Sequence, residues 1–312
     1  MIAAIETILQ HDVAGDPITG VRWTHRTTNK IADQLAAGGI QVCPRTVARI
    51  LHGLGYRLRV NHKRVATGSG PDRDQQFIHI SEQRTRFAQC DLPIVSIDTK
   101  KRELVGNFKN PGRGWGKTPH AVNDHDFRSQ ADGIAIPYGV YDLRANRGFV
   151  VVGTSHDTPD FAADNLVRWW QHDGLERYPH ASELLVLADS GGSNAPRIRA
   201  FKYALQTRLA DPYGLKITIC HYPSGASKWN PIDHRLFSEI SKNWAGHPLR
   251  CYETILNHIR TTTTATGLQV SALLVDQEYP RGVRITDADF AAIALERHDT
   301  QPLRNYTIHP RS

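Results

Sequence analysis

The chain has 312 residues, a net charge of +7 and a pI near 9.3, with 40% hydrophobic and 22% charged residues. That length accommodates about two domains able to bury their own cores. It contains no apolar run of about 18 residues to cross a membrane, and the opening MIAAIETILQHDVAGD lacks a basic stretch and a small-residue cleavage site, so it is not a secretory signal.

The basic balance favours a polyanionic partner, and a cytoplasmic, nucleoid-associated location is expected. Cys43, Cys90, Cys220 and Cys251 are far apart, with no CxxC pair. They read as reduced, mostly buried thiols.

Residues 1–66 read as compact and helical. Ile2, Ile5, Ile8 and Leu9 follow the i, i+3, i+4 spacing of one buried face. Thr28 or Asn29 can cap a second helix carrying Ile31, Ala32 and Leu35, closed by Gly38-Gly39. Pro44 suits the first position of a third helix, which buries Val47, Ile50, Leu51 and Leu54 and stops at Gly55. Arg45, Thr46 and Arg49 then lie near its start, away from the core. Between Arg22 and Arg64 there are nine Lys or Arg residues and one acid, Asp33. Two short helices, a tight turn and a basic outer face form a helix-turn-helix pattern. The tail with Arg57, Arg59, Lys63 and Arg64 reads as a basic strand or arm lying along phosphates. A small bundle whose arginines only keep it soluble is the competing reading.

Residues 67–90 start with a Gly/Ser/Pro linker and become polar and helical, marking a domain boundary. From residue 91, strands are predicted at 93–98, 103–108, 134–142, 147–153, 184–188 and 215–221. Helices are predicted at 159–172, 194–208, 231–243 and 248–263. Short turns between the early strands predict antiparallel pairing, and the later strand–helix–strand order predicts a parallel portion. The product is an α/β fold, a mixed sheet flanked by helices.

Three acids stand at informative places. Asp98 ends the strand-like VSID, Asp189 follows the apolar run LLVLA, and Asp233 lies in the first turn of a helix opened by Pro231. Each alone also reads as a turn former or a helix-end acid. Together they are the oxygen donors that Mg²⁺ or Mn²⁺ takes. Two such ions about 3.5–4 Å apart can clamp both oxygens of a phosphodiester displacement. Glu239 competes for the third place. Six residues beyond Asp233, it points about 120° away on a straight helix, so Asp233 is preferred.

Other residues carry less. In NPGRGWGKTPH (110–120), Arg113, Trp115 and Lys117 stand among glycines where a backbone can approach phosphates; a solvated hairpin loop reads equally well. Ser224, Gly225, Ser227, Lys228, Trp229 and Asn230 precede Asp233 and can position DNA, with Trp229 alternatively anchoring the helix in the core. Asn194 reads as a helix cap more than a site residue. Trp169 and Trp170 read as helix packing, with Trp170 the more exposed. His125 and Asp126 look like motif residues without an assigned role, and His120 and His221 show no ligand spacing.

The stretches VSIDTKKRELVGNFKNPGRGW, AVNDHDF, ADSGGSN and HYPSGASKWNPIDHRLFSEISKNWAGHPL resemble the Rhodopirellula-type DDE transposases of bacterial insertion sequences, more distantly related to the mariner group. The resemblance spans roughly residues 20–305. It implies a helix-turn-helix DNA-binding region over 1–66, a linker and connecting helix over 67–90, and a ribonuclease-H-like catalytic domain over 91–312. The fold implied is thus a ribonuclease-H-like mixed sheet flanked by helices, preceded by a small all-α DNA-binding domain. It implies two Mg²⁺ ions (Mn²⁺ as substitute) held by Asp98, Asp189 and Asp233. The implied partners are transposon terminal repeats and target DNA, bound by a homo-oligomer. The third acid is usually the Glu of NPIE; here it is Asp, as in mariner-type enzymes, one methylene shorter. Relatives also carry more sequence before the helix-turn-helix, which implies a shortened start. A catalytically inactive or truncated DNA-binding protein and a ribonuclease-H-like nuclease without strand transfer are the alternative expectations.

Overall fold

The computed structural model describes residues 1–10, 13–15, 22–24, 26–57, 71–114, 117–226 and 229–311. The chain divides into two compact units, Met1–Val65 and Ala66–Ser312.

In the first unit, helices α1 (Ile2–Gln10), α2 (Thr28–Ala37) and α3 (Pro44–Gly53) share a core of Ile5, Leu9, Ile31, Ala32, Leu35 and Val47. The cap of α2 is Thr27, one residue earlier than predicted, with its hydroxyl accepting from the Lys30 N–H at 3.3 Å. Pro44 opens α3 as its fixed φ allows. The unit is not all-α. Strands β1 (Val13–Gly15) and β2 (Arg22–Thr24) pair antiparallel. Three-residue strands are too short to show an alternating pattern, which is why the sequence hid them.

The second unit begins with α4 (Pro71–Gln89). Its sheet has nine strands among the described residues: β3 (Ile94–Thr99), β4 (Glu103–Val105), β5 (Gly133–Asp142), β6 (Arg147–Gly153), β7 (Glu183–Ala188), β8 (Lys216–His221), β9 (Gln269–Val275), β10 (Leu295–Arg297) and β11 (Asn305–Ile308). The order is β10-β11-β8-β7-β3-β5-β6-β9, with β4 paired to β5. Pairs β3/β5 and β5/β6 are antiparallel, whereas β3/β7 and β7/β8 are parallel. Strands β9, β10 and β11 extend both edges and have no counterpart in the sequence reading.

Helices cover both faces. Helix α5 (Pro159–Trp169) runs through a π turn into α6 (Leu175–Arg177), and α7 (Arg199–Leu205) runs through another into α8 (Asp211–Tyr213). The other face carries the π turn Asp233–Phe237 with α9 (Ser238–Asn243), then α10 (Tyr252–Arg260). Helix α11 (Asp287–Ala291) follows near the C-terminus. Strand β7 shows why its sequence is uniformly apolar. Leu184, Val186 and Ala188 pack towards the α5/α7 core, and Leu185 and Leu187 pack in the cluster with Ile80 and Phe87 of α4.

Several expectations are corrected. Trp169 and Trp170 both pack in the core as read from the sequence, at 1% and 2% exposure, so Trp170 is scarcely the more exposed. Cys43, Cys90 and Cys251 are exposed and only Cys220 is buried; the first and third occupy N-cap positions and Cys90 follows α4, places set by chain geometry rather than packing. Among the described residues, no helix is long and apolar enough to cross a membrane.

Candidate active site

Asp98 and Asp189 leave neighbouring parallel strands at the same level. Ile97 of β3 pairs with Ala188 of β7, and each acid is the next residue along. The two carboxylates therefore emerge side by side at the carboxyl ends of adjacent strands, where strand spacing is about 4.8 Å. Each is tied to its own backbone. Asp98 Oδ1 accepts from the Thr99 N–H at 2.7 Å, and Asp189 Oδ1 accepts from the Gly191 N–H at 2.9 Å.

Asp233 arrives from the other direction. Ser96 lies two residues before Asp98 and so shares its face of β3. Its hydroxyl donates to Asn230 Oδ1 and accepts from the Ile232 N–H at 3.3 Å. The Asp233 N–H in turn donates to the Asn230 carbonyl at 3.2 Å. Ser96, Asn230 and Ile232 are all fully buried, so the NPID segment is clamped against the strand that carries Asp98. Ser96→Ala is expected to leave Asn230 and the Ile232 N–H without their partner. The expected cost is about 1–3 kcal/mol of stability, readable as a lowered denaturant midpoint with an unchanged m-value.

The charges of the other two acids act on Asp98. The Asp98 carboxyl is pushed up to about 8, first by burial and then by the charges of Asp189, Asp233 and Asp157, against the opposing Thr99 hydrogen bond. Asp233 is also raised, by burial first and by Asp189, with His234 acting against them. None of Asp98, Asp157, Asp189 or Asp233 joins an ion pair among the described residues. Lys100, two residues beyond Asp98, is occupied elsewhere: its Nζ is 3.2 Å from Glu103 Oε1 and 4.4 Å from the Trp244 ring centroid.

The donor chemistry fits a hard divalent cation, since it consists of carboxylate oxygens that join no ion pair among the described residues. Among the described residues, however, no set of three acidic, His or Cys side chains is drawn close enough to enclose one ion.

Glu239 is not among the charges acting on these acids. Its Oε1 pairs with Lys242 Nζ at 2.6 Å. Asn194 is not a cap, because α7 starts only after Ile198. It is buried, its carbonyl oxygen lies 2.9 Å from His221 Nε2, and its amide Nδ2 has no partner among the described residues. His221 is buried between that carbonyl and the Arg304 carbonyl, and burial pulls it down to about 4.

One charge acting on Asp98 escaped the sequence reading. Asp157 lies in the turn from β6 to α5, where TSHDTP reads as an ordinary helix-capping run. Its Oδ1 is buried and without a partner among the described residues.

The basic residues scatter more. Arg45 and Arg49 are exposed on α3, and Thr46 is half-buried with its hydroxyl 3.4 Å from Cys43 Sγ. Arg57 turns back onto the carbonyls of His52 and Tyr56 at 2.6 and 2.8 Å. Arg113 and Lys117 are exposed in the loop that docks on the turn after α9, where the Gly246 N–H donates to the Pro111 carbonyl at 3.0 Å. His125 and Asp126 are exposed, and Trp229 is 56% exposed rather than buried as a core anchor. Arg59, Lys63, Arg64, Trp115, Ser227 and Lys228 lie outside the described residues.

Residues 4–310 match the model of a DDE transposase domain. The particular family is the one described as Rhodopirellula transposase DDE domain, and the chain belongs to it. Similar solved structures include the Mos1 transposase paired-end complex with left transposon end, 15% identical, covering 82% of this chain and 68% of that chain, with a TM-score of 0.44. The mariner Mos1 paired end complex with Mg is 14% identical, with coverage of 82% and 68% and a TM-score of 0.45. A simian T-cell lymphotropic virus intasome in complex with PP2A regulatory subunit B56 gamma is 13% identical, with coverage of 82% and 72% and a TM-score of 0.30. A search of curated proteins gives no match.

Proposed function

We propose that the chain is an insertion-sequence transposase. Residues 1–66 bind transposon ends through the helix-turn-helix formed by α2 and α3, residues 67–90 connect, and residues 91–312 cut and join DNA strands. The observation that carries this reading is the placement of Asp98 and Asp189 at one level on the adjacent parallel strands β3 and β7, with the segment leading to Asp233 clamped to β3 through Ser96. Family membership sets the substrate class. The strand order β6-β5-β3-β7-β8, with β5 antiparallel to both neighbours, supports a ribonuclease-H-like assignment.

Asp98, Asp189 and Asp233 would hold two Mg²⁺ ions, with Mn²⁺ as a substitute. Bound there, the ions supply charge neutralisation and a lowered water pKa for in-line displacement at phosphorus. The chain itself contributes fixed positions: paired strand ends set two carboxylates, and the Ser96–Asn230 clamp sets the third. Arg45, Thr46, Arg49, Arg59, Lys63 and Arg64 contact phosphates of the terminal repeat. Arg113, Trp115, Lys117 and Lys228 contact DNA nearer the chemistry, and Arg57 acts chiefly on the end of α3. The working form is a homo-oligomer on two transposon ends.

One observation favours a second reading, a DNA-binding protein without catalysis: among the described residues, no three acidic, His or Cys side chains are grouped to hold an ion. Purified protein mixed with its own terminal repeat separates the two. Under the first reading, nicks ending in 3′-OH and joined products form with Mg²⁺ or Mn²⁺ and vanish in EDTA. Repeat binding without any cation-dependent nick would support the second reading, and nicks without joined products would support a nuclease lacking strand transfer.

A further inference from the structure

Two arginines, from the start and the end of the second unit's sequence, meet at Ser224 in the turn that follows β8. Arg73, in the first turn of α4, donates from Nη1 to the Ser224 carbonyl at 3.3 Å. Arg304, immediately before β11, donates from Nη2 to the Ser224 hydroxyl at 3.5 Å. Its Nη1 donates to the Ser190 hydroxyl at 2.8 Å and to the Tyr222 carbonyl at 3.2 Å. Asp72 and Asp74 share the first turn of α4. Among the described residues, neither these nor any other acid pairs with Arg73 or Arg304.

Aromatic rings continue the patch. The Arg73 guanidinium carbon lies 5.6 Å from the centroid of the Phe77 ring, one helical turn on. Phe77 meets Trp229 edge-on with centroids 5.8 Å apart, and Trp229 keeps 56% of its surface exposed. The patch is tied to the acidic site at two points. Ser190, which accepts from Arg304, directly follows Asp189. Trp229 directly precedes Asn230, whose buried side chain is bonded to Ser96 in the segment leading to Asp233.

Guanidinium groups without a carboxylate partner suit phosphate, whose oxygens they can bind in pairs. An exposed indole stacks on a base only where a face of that base is uncovered. Inside a duplex both faces are covered by neighbouring bases, so the ring selects an unstacked one. We propose that Arg73, Arg304 and Trp229 form a site for one unpaired nucleotide of a DNA strand, with the arginines on its phosphate and the indole on its base. The inference rests on the transposase reading, which makes DNA the strand and brings it to the three acids.

The test is binding of the full chain, in EDTA so that no strand is cut, to a single-stranded oligonucleotide carrying 2-aminopurine. A duplex of equal length serves as comparison. Wild type should quench the 2-aminopurine fluorescence as the base stacks. Trp229→Ala is expected to remove most of the quenching and to weaken single-strand affinity about 5-fold or more, the low end of base–aromatic stacking. Its duplex affinity should stay within about twofold of wild type. Trp229→Phe should keep most of both signals, which separates stacking on a base from packing on Phe77. Arg73→Gln should lower the slope of log affinity against log salt by about 0.7, one phosphate contact on a single strand. Single-strand binding by Trp229→Ala and Arg73→Gln equal to that of wild type would overturn the inference. So would a loss by Trp229→Ala that is as large on the duplex. Wild type that binds the strand through Trp229 yet never nicks its terminal repeat with Mg²⁺ would instead overturn the transposase reading and leave this site standing.

Discussion

Asp98→Asn is expected to reduce strand cleavage by about 10³-fold or more, the scale on which preorganised electrostatic groups act, while stabilising the cation-free protein at pH 8. The second effect follows from the sign of the titration. The ordinary value of this carboxyl is 3.8, and in the folded chain it rises to about 8. Below the lower value both folded and unfolded chains carry the proton, and the group contributes nothing. Between the two values the folded chain keeps a proton that the unfolded chain has released, so stability falls as pH rises. Above the upper value both are ionised and the full penalty remains. Because neighbouring acids share the repulsion, the penalty is on the order of 3 kcal/mol. For a unit of this size that corresponds to roughly 5–10 °C in melting temperature. Melts in EDTA should therefore show wild type and Asp98→Asn converging near pH 4 and separating towards pH 8, with the variant higher. Saturating Mg²⁺ should raise wild type by binding the folded site and move the variant much less. Equal pH slopes in EDTA would show that Asp98 does not carry the repulsion.

The strand ends were legible because each combined two signals. Asp189 followed an apolar run long enough for a strand buried on both faces, and Asp98 closed an alternating one. Their convergence followed from parallel pairing, which the strand–helix–strand order implied. Asp233 was legible through Pro231 and the family motif, but its attachment was not. The bond from Ser96 to Asn230 spans 134 residues, and no local pattern encodes a contact of that separation. Asp157 was hidden for a different reason: beside Thr158 and Pro159 it has the chemistry of a helix start, and only its unpartnered oxygen separates it from one. The edge strands β10 and β11 and the N-terminal ribbon were too short to show a period. The π turns were invisible because a single widened turn is too short to leave its own period in the apolar spacing.

Gly139→Ala is expected to disable the site without touching any acid. Gly139 pairs directly with Asp98 across the β3/β5 ladder, and the π turn that begins at Asp233 rests on its bare backbone. A Cβ there would stand 2.7 Å from Phe237 Cε1 and 2.8 Å from Ile232 Cδ1. Both side chains are buried, so little free space is left for them to turn aside and part of the strain passes to the turn that carries them. Ile232 precedes Asp233 and Phe237 ends its turn, so the added methyl lifts the third carboxylate away from the other two. Overpacking should cost about 1–3 kcal/mol. The displacement should cost more in rate than in stability, since a misplacement of about 1 Å can lower a rate by roughly 10²-fold. Gly174→Ala separates these effects: its Cβ would strike the Trp170 ring in the helix following α5. It should lose comparable stability while keeping cleavage within a few-fold of wild type. Phe237→Leu added to Gly139→Ala removes the ring that the methyl strikes and should recover part of the rate, a coupling that a double-mutant cycle measures directly. If Gly139→Ala and Gly174→Ala lose cleavage equally, the damage is general loosening of the fold, and the clamp on Asp233 is not what sets the rate.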